Sequence, residues 1–131
     1  MSPDKTNELI KYRILRAKET LKDAEVALEN DRIKNALNRI YYSAFYIVSA
    51  LALKHNFSTS KHKQLIGWFN KEFVSSGKIK SEFYKIYSKA FDTRQESDYE
   101  DFIEYEKSEA QLRFSDMLSF VTEIEKLIEQ K

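Results

Sequence analysis

The most apolar stretch of this chain runs from Asn35 to Leu53 and reads Asn-Ala-Leu-Asn-Arg-Ile-Tyr-Tyr-Ser-Ala-Phe-Tyr-Ile-Val-Ser-Ala-Leu-Ala-Leu. After Ile40 only two serines are clearly polar, apart from the tyrosine hydroxyls. A helix that is apolar on nearly every side is typical of a segment surrounded by other elements. The stretch therefore predicts a central helix whose entrance is polar, because Asn35, Asn38 and Arg39 stand at its start.

Glycine and proline are scarce, with two glycines and one proline in 131 residues. Helix interiors tolerate neither residue, whereas strands joined by tight turns depend on both. Hydrophobic residues make up 42% of the chain, which is enough for one core at this length. We therefore expect an all-α, up-and-down helical bundle of about five helices that forms a single domain over residues 1–131.

Apolar residues that recur at intervals of three and four predict the other helices. The expected spans, including the central helix, are about 4–30, 32–55, 60–76, 81–94 and 97–129. Matching stripes on the first and last helices predict that these two pair beside the central one. Asp4 or Thr6 is expected to cap the first helix, and Ser97 or Asp98 the last, which leaves a polar break after Arg94.

The composition also excludes several kinds of site. Cysteine is absent and there are only two histidines, so we expect no disulfide, no zinc–thiolate site, no thiol catalysis, and neither a metal nor a cofactor. The net charge of +1 argues against a general polyanion binder that works by bulk charge. The N-terminal residues lack an apolar signal region, and the longest apolar run is shorter than the roughly 20 residues that span a bilayer. The default expectation is a soluble cytoplasmic protein without a membrane partner.

Arg94, Asp98 and Tyr99 form one candidate site. A guanidinium offers a fixed fork of donors and a phenol offers a hydroxyl, so these residues suit a phosphate. The alternative is structural: Arg94 pairs with Glu96 or Asp98, and Asp98 is a helix cap. On the residues alone the structural interpretation is favoured, because caps and loop ion pairs are common.

The polar entrance of the central helix is a second candidate. Asn35, Asn38 and Arg39 precede the apolar run and should lie at the edge of the core, where they would either join Arg94 in one site or form a structural hydrogen-bond network. The sequence leaves both interpretations open.

Two further groups are weaker candidates. His62 stands at a helix start between Lys61 and Lys63, where an anion is a possible ligand, although a solvated helix end is favoured for a lone histidine. Three tyrosines at helical spacing offer rings for stacking on a base, although such a cluster more often belongs to the core: Tyr41, Tyr42 and Tyr46.

Together these segments resemble the HEPN domain family, over about residues 9–127. The resemblance is carried by Asn35-x-x-Asn38-Arg39-x-Tyr41-Tyr42-Ser43-Ala44-Phe45, by Ser60-x-His62-Lys63 and by Arg94-x-x-Ser97-Asp98-Tyr99. It implies a homodimer of helical bundles. It also implies a place beside a minimal nucleotidyltransferase in a two-gene, toxin–antitoxin-like module.

Several HEPN groups are metal-independent endoribonuclease toxins whose motif is an arginine followed, four to six residues later, by a histidine. The arginine position of that motif matches Arg94, but Tyr99 stands where the histidine is expected, and no histidine follows His62. A phenol is a poor base at pH 7, although it can donate a hydrogen bond or accept a nucleotidyl group. The sequence therefore leaves enzymatic activity undecided.

The resemblance thus implies a protein that binds nucleotide or RNA and partners a minimal nucleotidyltransferase. The alternatives are an endoribonuclease toxin with an altered motif and a non-catalytic protein-interaction bundle. The residues expected to bind the ligand are Asn35, Arg39, Tyr42, Arg94, Asp98 and Tyr99, with His62 and Lys63 as weaker candidates.

Overall fold

The computed structural model describes residues 2–99 and 104–130, and of residues 97–99 the backbone alone. These ranges form five α-helices: α1 (Pro3–Glu29), α2 (Ile33–Lys54), α3 (His62–Phe69), α4 (Ser81–Tyr99) and α5 (Lys107–Glu129). A π-helical turn, Asn70–Val74, continues α3. No strand occurs in the part of the chain described, so the predicted all-α bundle is confirmed. None of the helices in these ranges is long and apolar enough to cross a membrane.

The central position predicted for α2 is confirmed. This helix contacts α1, α3, α4 and α5, and twelve of its 22 residues are buried. Small side chains at Ala36 and Ala44, both fully buried, let neighbouring helices approach closely. The buried hydroxyl of Ser43 donates a hydrogen bond to the Ile40 carbonyl at 2.7 Å, so it enters the core without an unsatisfied donor.

The start of α1 differs from the prediction by one residue or more. Ser2, and not Asp4 or Thr6, is the N-cap, and its side chain accepts a hydrogen bond from the Lys5 amide at 3.3 Å. Pro3 is the first helical residue, one position before the expected start. A proline is favourable there because the first amide of a helix has no intrahelical acceptor to lose.

The predicted break after Arg94 is wrong. α4 continues to Tyr99, and α5 begins at Lys107 with Glu106 as its N-cap residue. Ser97 and Asp98 are therefore helical residues and not caps of the last helix. The segment contains no glycine or proline, and arginine, glutamine and glutamate are good helix formers, so nothing in it stops the helix.

Two chain reversals contain a residue in the left-handed backbone conformation. Asp31, between α1 and α2, and Gly77, after the π-helical turn, have left-handed backbone conformations with φ of 58° and 78°. Glycine and aspartate are among the residues that adopt this conformation at low cost. At the far end of α2, the Lys54 ammonium donates to the α5 carbonyls of Leu127 (3.3 Å) and Ile128 (2.5 Å), which ties the ends of the two helices together.

Candidate functional site: an arginine on two tyrosines

Arg94 lies against two consecutive tyrosines of α2. Its guanidinium carbon is 5.5 Å from the centre of the Tyr41 ring and 5.4 Å from that of Tyr42, which is within the range of a cation–π contact. Its Nη2 also donates to the Tyr42 hydroxyl at 3.2 Å. The structure thus brings together Arg94 and Tyr42, two of the residues predicted for the site. Arg94 reaches them from within α4, and not from a loop.

His62 belongs to the same group, although a solvated helix end was the favoured interpretation for it. Its Nδ1 shares a short hydrogen bond with the Tyr41 hydroxyl. The imidazole stacks on the Phe45 ring at a centroid distance of 4.5 Å and meets the edge of the Tyr42 ring at 5.8 Å. The histidine is partly buried, so packing as well as the hydrogen bond holds its ring.

The environment favours neutral forms of both partners in this hydrogen bond. Burial lowers the pKa of His62, and the neighbouring positive charge of Arg94 lowers it further. Burial raises the pKa of Tyr41 well above its ordinary value, an effect that Arg94 opposes. At neutral pH an uncharged imidazole therefore meets an uncharged phenol. When Tyr41 donates to Nδ1, the other ring nitrogen of His62, Nε2, carries the proton and is a donor.

A second guanidinium lies on Tyr42. Arg39 is 5.2 Å from the centre of the Tyr42 ring, and it donates to the Asn38 side-chain oxygen through Nε (3.1 Å) and Nη2 (2.7 Å). The Asn38 amide therefore fixes one edge of the Arg39 fork. We call this group of five residues the arginine–tyrosine cluster: Arg39, Tyr41, Tyr42, His62 and Arg94.

Asn35 lies outside this cluster. It is exposed and lines an open groove of about 510 Å³ between the end of α1 and the start of α2. Arg39 lines the same groove, so it links the groove to the cluster. Lys63 is exposed in the first turn of α3. The side chains of Asp98 and Tyr99 lie outside the described residues, although their backbone forms the last turn of α4.

The expected core role of the tyrosines holds for Tyr41, which is fully buried and packs on the Tyr87 and Phe91 rings. Tyr42 and Tyr46 are only partly buried, so each presents part of its ring at the surface. Tyr41 and His62 are the members that the sequence argument missed as partners. The two residues are 21 positions apart on different helices, so no helical spacing in the sequence could pair them.

The chemistry available to the cluster is that of an anion site. Two guanidinium groups, two phenols and one neutral imidazole offer several hydrogen-bond donors, and the partly buried rings offer flat apolar surfaces. Among the described residues no three histidine or acidic side chains are grouped so that they could hold a metal ion. Phosphate recognition by arginine, with an aromatic ring beside it, is the arrangement that proteins use for single-stranded nucleic acids.

The HEPN domain family matches residues 10–130 of the chain, a span that includes every residue of the cluster. The chain is 42% identical over 122 residues to a "UPF0332 protein" of Thermotoga maritima, and this aligned region is 93% of this chain and 92% of the relative. It is 34% identical over 98 residues to "Putative toxin MJ0142" of Methanocaldococcus jannaschii, which covers 75% of this chain and 67% of the relative. A second protein of that organism, "Putative toxin MJ0605", is 34% identical over 83 residues, 63% of this chain and 62% of the relative. The helices that carry Arg39, His62 and Arg94 all lie within the matched span, and the chain belongs to the HEPN domain family.

Proposed function

We propose that this chain is the HEPN component of a toxin–antitoxin-like module and that it binds RNA or a nucleotide through the arginine–tyrosine cluster. Arg94 and Arg39 hold a phosphate group, and the Tyr42 ring supports the adjoining base or sugar. The names of two relatives as toxins agree with this role. The proposal goes beyond those names, because it assigns a ligand to specific residues of this chain.

The position of Arg94 is the observation that carries the proposal. Its guanidinium lies on two tyrosine rings and is hydrogen-bonded to the Tyr42 hydroxyl before any ligand arrives. A side chain that is already ordered loses less conformational entropy on binding, so such an arrangement favours affinity. The adjacent Arg39 places a second guanidinium on the Tyr42 ring, and the fork of donors on a guanidinium suits the oxygens of a phosphate.

A binding assay tests this role directly. Fluorescence anisotropy with a labelled single-stranded RNA, and calorimetry with mononucleotides, are compared for wild type, Arg94→Gln and Lys22→Gln. Lys22 lies on the flank of α1 that faces α5 and pairs with Glu25 at 2.6 Å, so its replacement removes the same charge elsewhere. We expect Arg94→Gln to weaken binding by about tenfold or more, because the loss of one charge-assisted hydrogen bond weakens binding on that scale. Equal affinities for all three proteins would refute the assignment.

The proposal includes two protein partners, a second copy of the chain and a minimal nucleotidyltransferase. It also gives Tyr99 a role, either in stacking or as the acceptor of a nucleotidyl group. Co-expression with a minimal nucleotidyltransferase from the same genome, followed by copurification and mass spectrometry, tests these points together. We expect a stable complex and, where transfer occurs, an adduct that Tyr99→Phe removes. The absence of a complex from the co-expressed pair would remove the nucleotidyltransferase from the proposal.

A second candidate function is metal-independent RNA cleavage, and the position of His62 favours it. The arginine-and-histidine pair expected of a HEPN ribonuclease is incomplete along α4, but α3 supplies an imidazole beside Arg94. A neutral imidazole can take the proton of the ribose 2′-hydroxyl when its Nε2 is unprotonated, which requires Nδ1 to donate to the Tyr41 oxygen. The 2′-oxygen then attacks phosphorus and the bond from phosphorus to the 5′-oxygen breaks. The products are a 2′,3′-cyclic phosphate and a 5′-hydroxyl, whose oxygen takes its proton from water. The guanidinium of Arg94 stabilises the charge that develops on the phosphoryl oxygens.

Cleavage of a labelled RNA in the presence of EDTA tests this candidate. We expect wild-type protein to produce cyclic phosphate ends, and His62→Gln or Arg94→Gln to abolish them while Lys22→Gln retains them. Binding of the same RNA, measured in parallel, separates loss of chemistry from loss of affinity. RNA that stays intact with the wild type, or cleavage that survives in His62→Gln, would exclude His62 as the base.

A further inference from the structure

A cavity next to the arginine–tyrosine cluster is lined by a guanidinium, hydroxyls and aromatic rings. It has a volume of about 300 Å³ and lies between α1, α2 and the loop that leads to α3. Arg13 of α1 lies on one side, the hydroxyl-bearing residues 58–60 lie on another, and Phe45, Tyr46 and Ser49 of α2 complete the lining. Hydroxyls, a guanidinium and aromatic rings are the groups that recognise a phosphorylated sugar.

Arg13 brings a positive charge to the wall of this cavity. Arg13 is partly buried, and no carboxylate within the described ranges forms an ion pair with it. Burial lowers its pKa, but an arginine keeps its charge at neutral pH. The neighbouring Arg16 donates to the Tyr46 hydroxyl at 3.4 Å and lies 5.1 Å from the centre of that ring, while its contact with exposed Glu19 is long, at 3.9 Å. A partly desolvated charge without a counter-ion is destabilising, and a bound anion offsets that cost.

The cavity is continuous with the cluster along one face of α2. Tyr46 follows Tyr42 by one helical turn, and their ring centres are 6.2 Å apart. Phe45 belongs to both places, because it lines the cavity and also stacks on His62. The same pattern occurs twice along this face: Arg94 lies on the Tyr42 ring, and one turn later Arg16 lies on the Tyr46 ring. A face that alternates arginine and tyrosine suits a ligand that repeats phosphates and bases.

We propose that the cavity between Arg13, Tyr46 and residues 58–60 is a second phosphate subsite, which holds the next part of a single-stranded RNA bound at the arginine–tyrosine cluster. This inference rests on the proposed function, because it names the class of ligand and extends its path. It adds that the ligand is longer than one nucleotide. The strand runs along α2 from Tyr42 to Tyr46, with the guanidinium of Arg13 on a phosphate.

The experiment compares a mononucleotide with single-stranded RNAs of increasing length, for wild type, Arg13→Gln, Arg94→Gln and Lys22→Gln. Arg94→Gln is expected to weaken the binding of every ligand. Arg13→Gln is expected to weaken only the longer RNAs, by about tenfold, which is the scale of one charge-assisted hydrogen bond. It should also reduce the slope of log affinity against log salt by about 0.7, the value for one phosphate contact on a single strand. Arg13→Lys should keep the salt slope and lose part of the affinity, because lysine keeps the charge without the fork.

The outcomes separate the two proposals. If Arg13→Gln binds long RNA as wild type and Lys22→Gln do, while Arg94→Gln is weakened, the subsite is refuted and the cluster keeps its role. If wild type binds neither the mononucleotide nor any RNA, the proposed function fails and the subsite with it. Thermal unfolding of each variant confirms that the binding differences come from folded protein.

Discussion

The contact between Arg94 and Tyr42 is testable by a double-mutant cycle in the protein without ligand. Arg94→Met keeps much of the aliphatic stem of the side chain and removes the guanidinium. Tyr42→Phe removes only the hydroxyl, and Tyr42→Leu removes the ring as well. Two cycles, one with each Tyr42 variant, therefore separate the hydrogen bond from the stacking of the guanidinium on the ring.

The expected coupling follows from the geometry. The hydrogen bond from Nη2 to the Tyr42 hydroxyl, 3.2 Å long and partly buried, is expected to contribute about 1 kcal/mol. The guanidinium at 5.4 Å from the ring centre adds roughly 0.5–1 kcal/mol. The cycle with Tyr42→Phe should thus give a coupling near 1 kcal/mol, and the cycle with Tyr42→Leu about 1.5–2 kcal/mol. Further contacts of Arg94, including the one with Tyr41, cancel because they are lost in both backgrounds.

Urea unfolding followed by circular dichroism measures the four free energies of each cycle, and stabilities are compared at a urea concentration near the midpoints. Lys22, which is exposed on α1 and pairs with Glu25, provides the control: Lys22 and Tyr42 share no contact, so they should couple by less than about 0.3 kcal/mol. Couplings near zero in both cycles would show that Arg94 does not lie on Tyr42 in solution. The guanidinium of Arg94 would then not be positioned in advance of a ligand.

Three other expectations follow from the same structure. The pKa of His62, measured by NMR, should lie below 6.5 in the folded protein and should rise partway toward 6.5 in Arg94→Gln. Because the unfolded chain has the higher His62 pKa, it binds the proton more readily than the folded chain. His62 should therefore reduce the free energy of unfolding as the pH falls through 6.5 toward the folded-state pKa. Tyr87→Phe should raise the free energy of unfolding by about 1 kcal/mol, and with it the melting temperature by a few degrees. The reason is that the fully buried Tyr87 hydroxyl has no hydrogen-bond partner among the described residues. A lower melting temperature would show that the hydroxyl does have a partner. Gly77→Ala should lower the free energy of unfolding, measured in urea, by about 1 kcal/mol, and Gly77→Asn should lower it by less. The cost comes from the left-handed backbone, with φ of 78°, and not from a clash, because no atom lies within 4 Å of an added Cβ. Equal stabilities of the three proteins would contradict a left-handed turn.

The helices could be predicted because their signal is local. The recurrence of apolar residues at intervals of three and four located α1 and the later part of α5, and the continuous apolar run located α2. The stripe that this spacing predicts for α1 contains six residues, and five of them are buried: Ile10, Ala17, Leu21, Ala24 and Leu28. The sixth, Ile14, is partly buried, while Thr20 and Ala27 are buried outside the stripe. The boundary between α4 and α5 failed because Ser97 and Asp98 are typical caps by residue type. A cap residue satisfies the free backbone groups at a helix end, but its presence in the sequence does not fix where the helix ends, which depends on tertiary packing.

The site was harder to predict because it depends on where a loop returns. His55 to Lys61 is seven residues, which reach at most about 23 Å when extended, and Tyr41 lies 13 residues or about 20 Å before the end of α2. The loop is thus long enough to run back along α2 and place His62 on Tyr41. Length permits this path without requiring it, so the residues alone left His62 among the weaker candidates. The resemblance to HEPN domains included the segment with His62 but did not pair this residue with Tyr41.

Tyr41 and Tyr42 explain why the entrance of α2 is polar although the helix beyond it is buried. Consecutive residues on a helix point about 100° apart, so Tyr41 enters the core while Tyr42 stays at its edge. Arg94 touches both rings, and His62 touches both through its hydrogen bond and its ring edge. A ligand that draws Arg94 toward a phosphate therefore acts on a side chain that contacts the fully buried Tyr41 ring. Binding at the cluster should for that reason stabilise the whole bundle, and not only the surface on which the ligand lies.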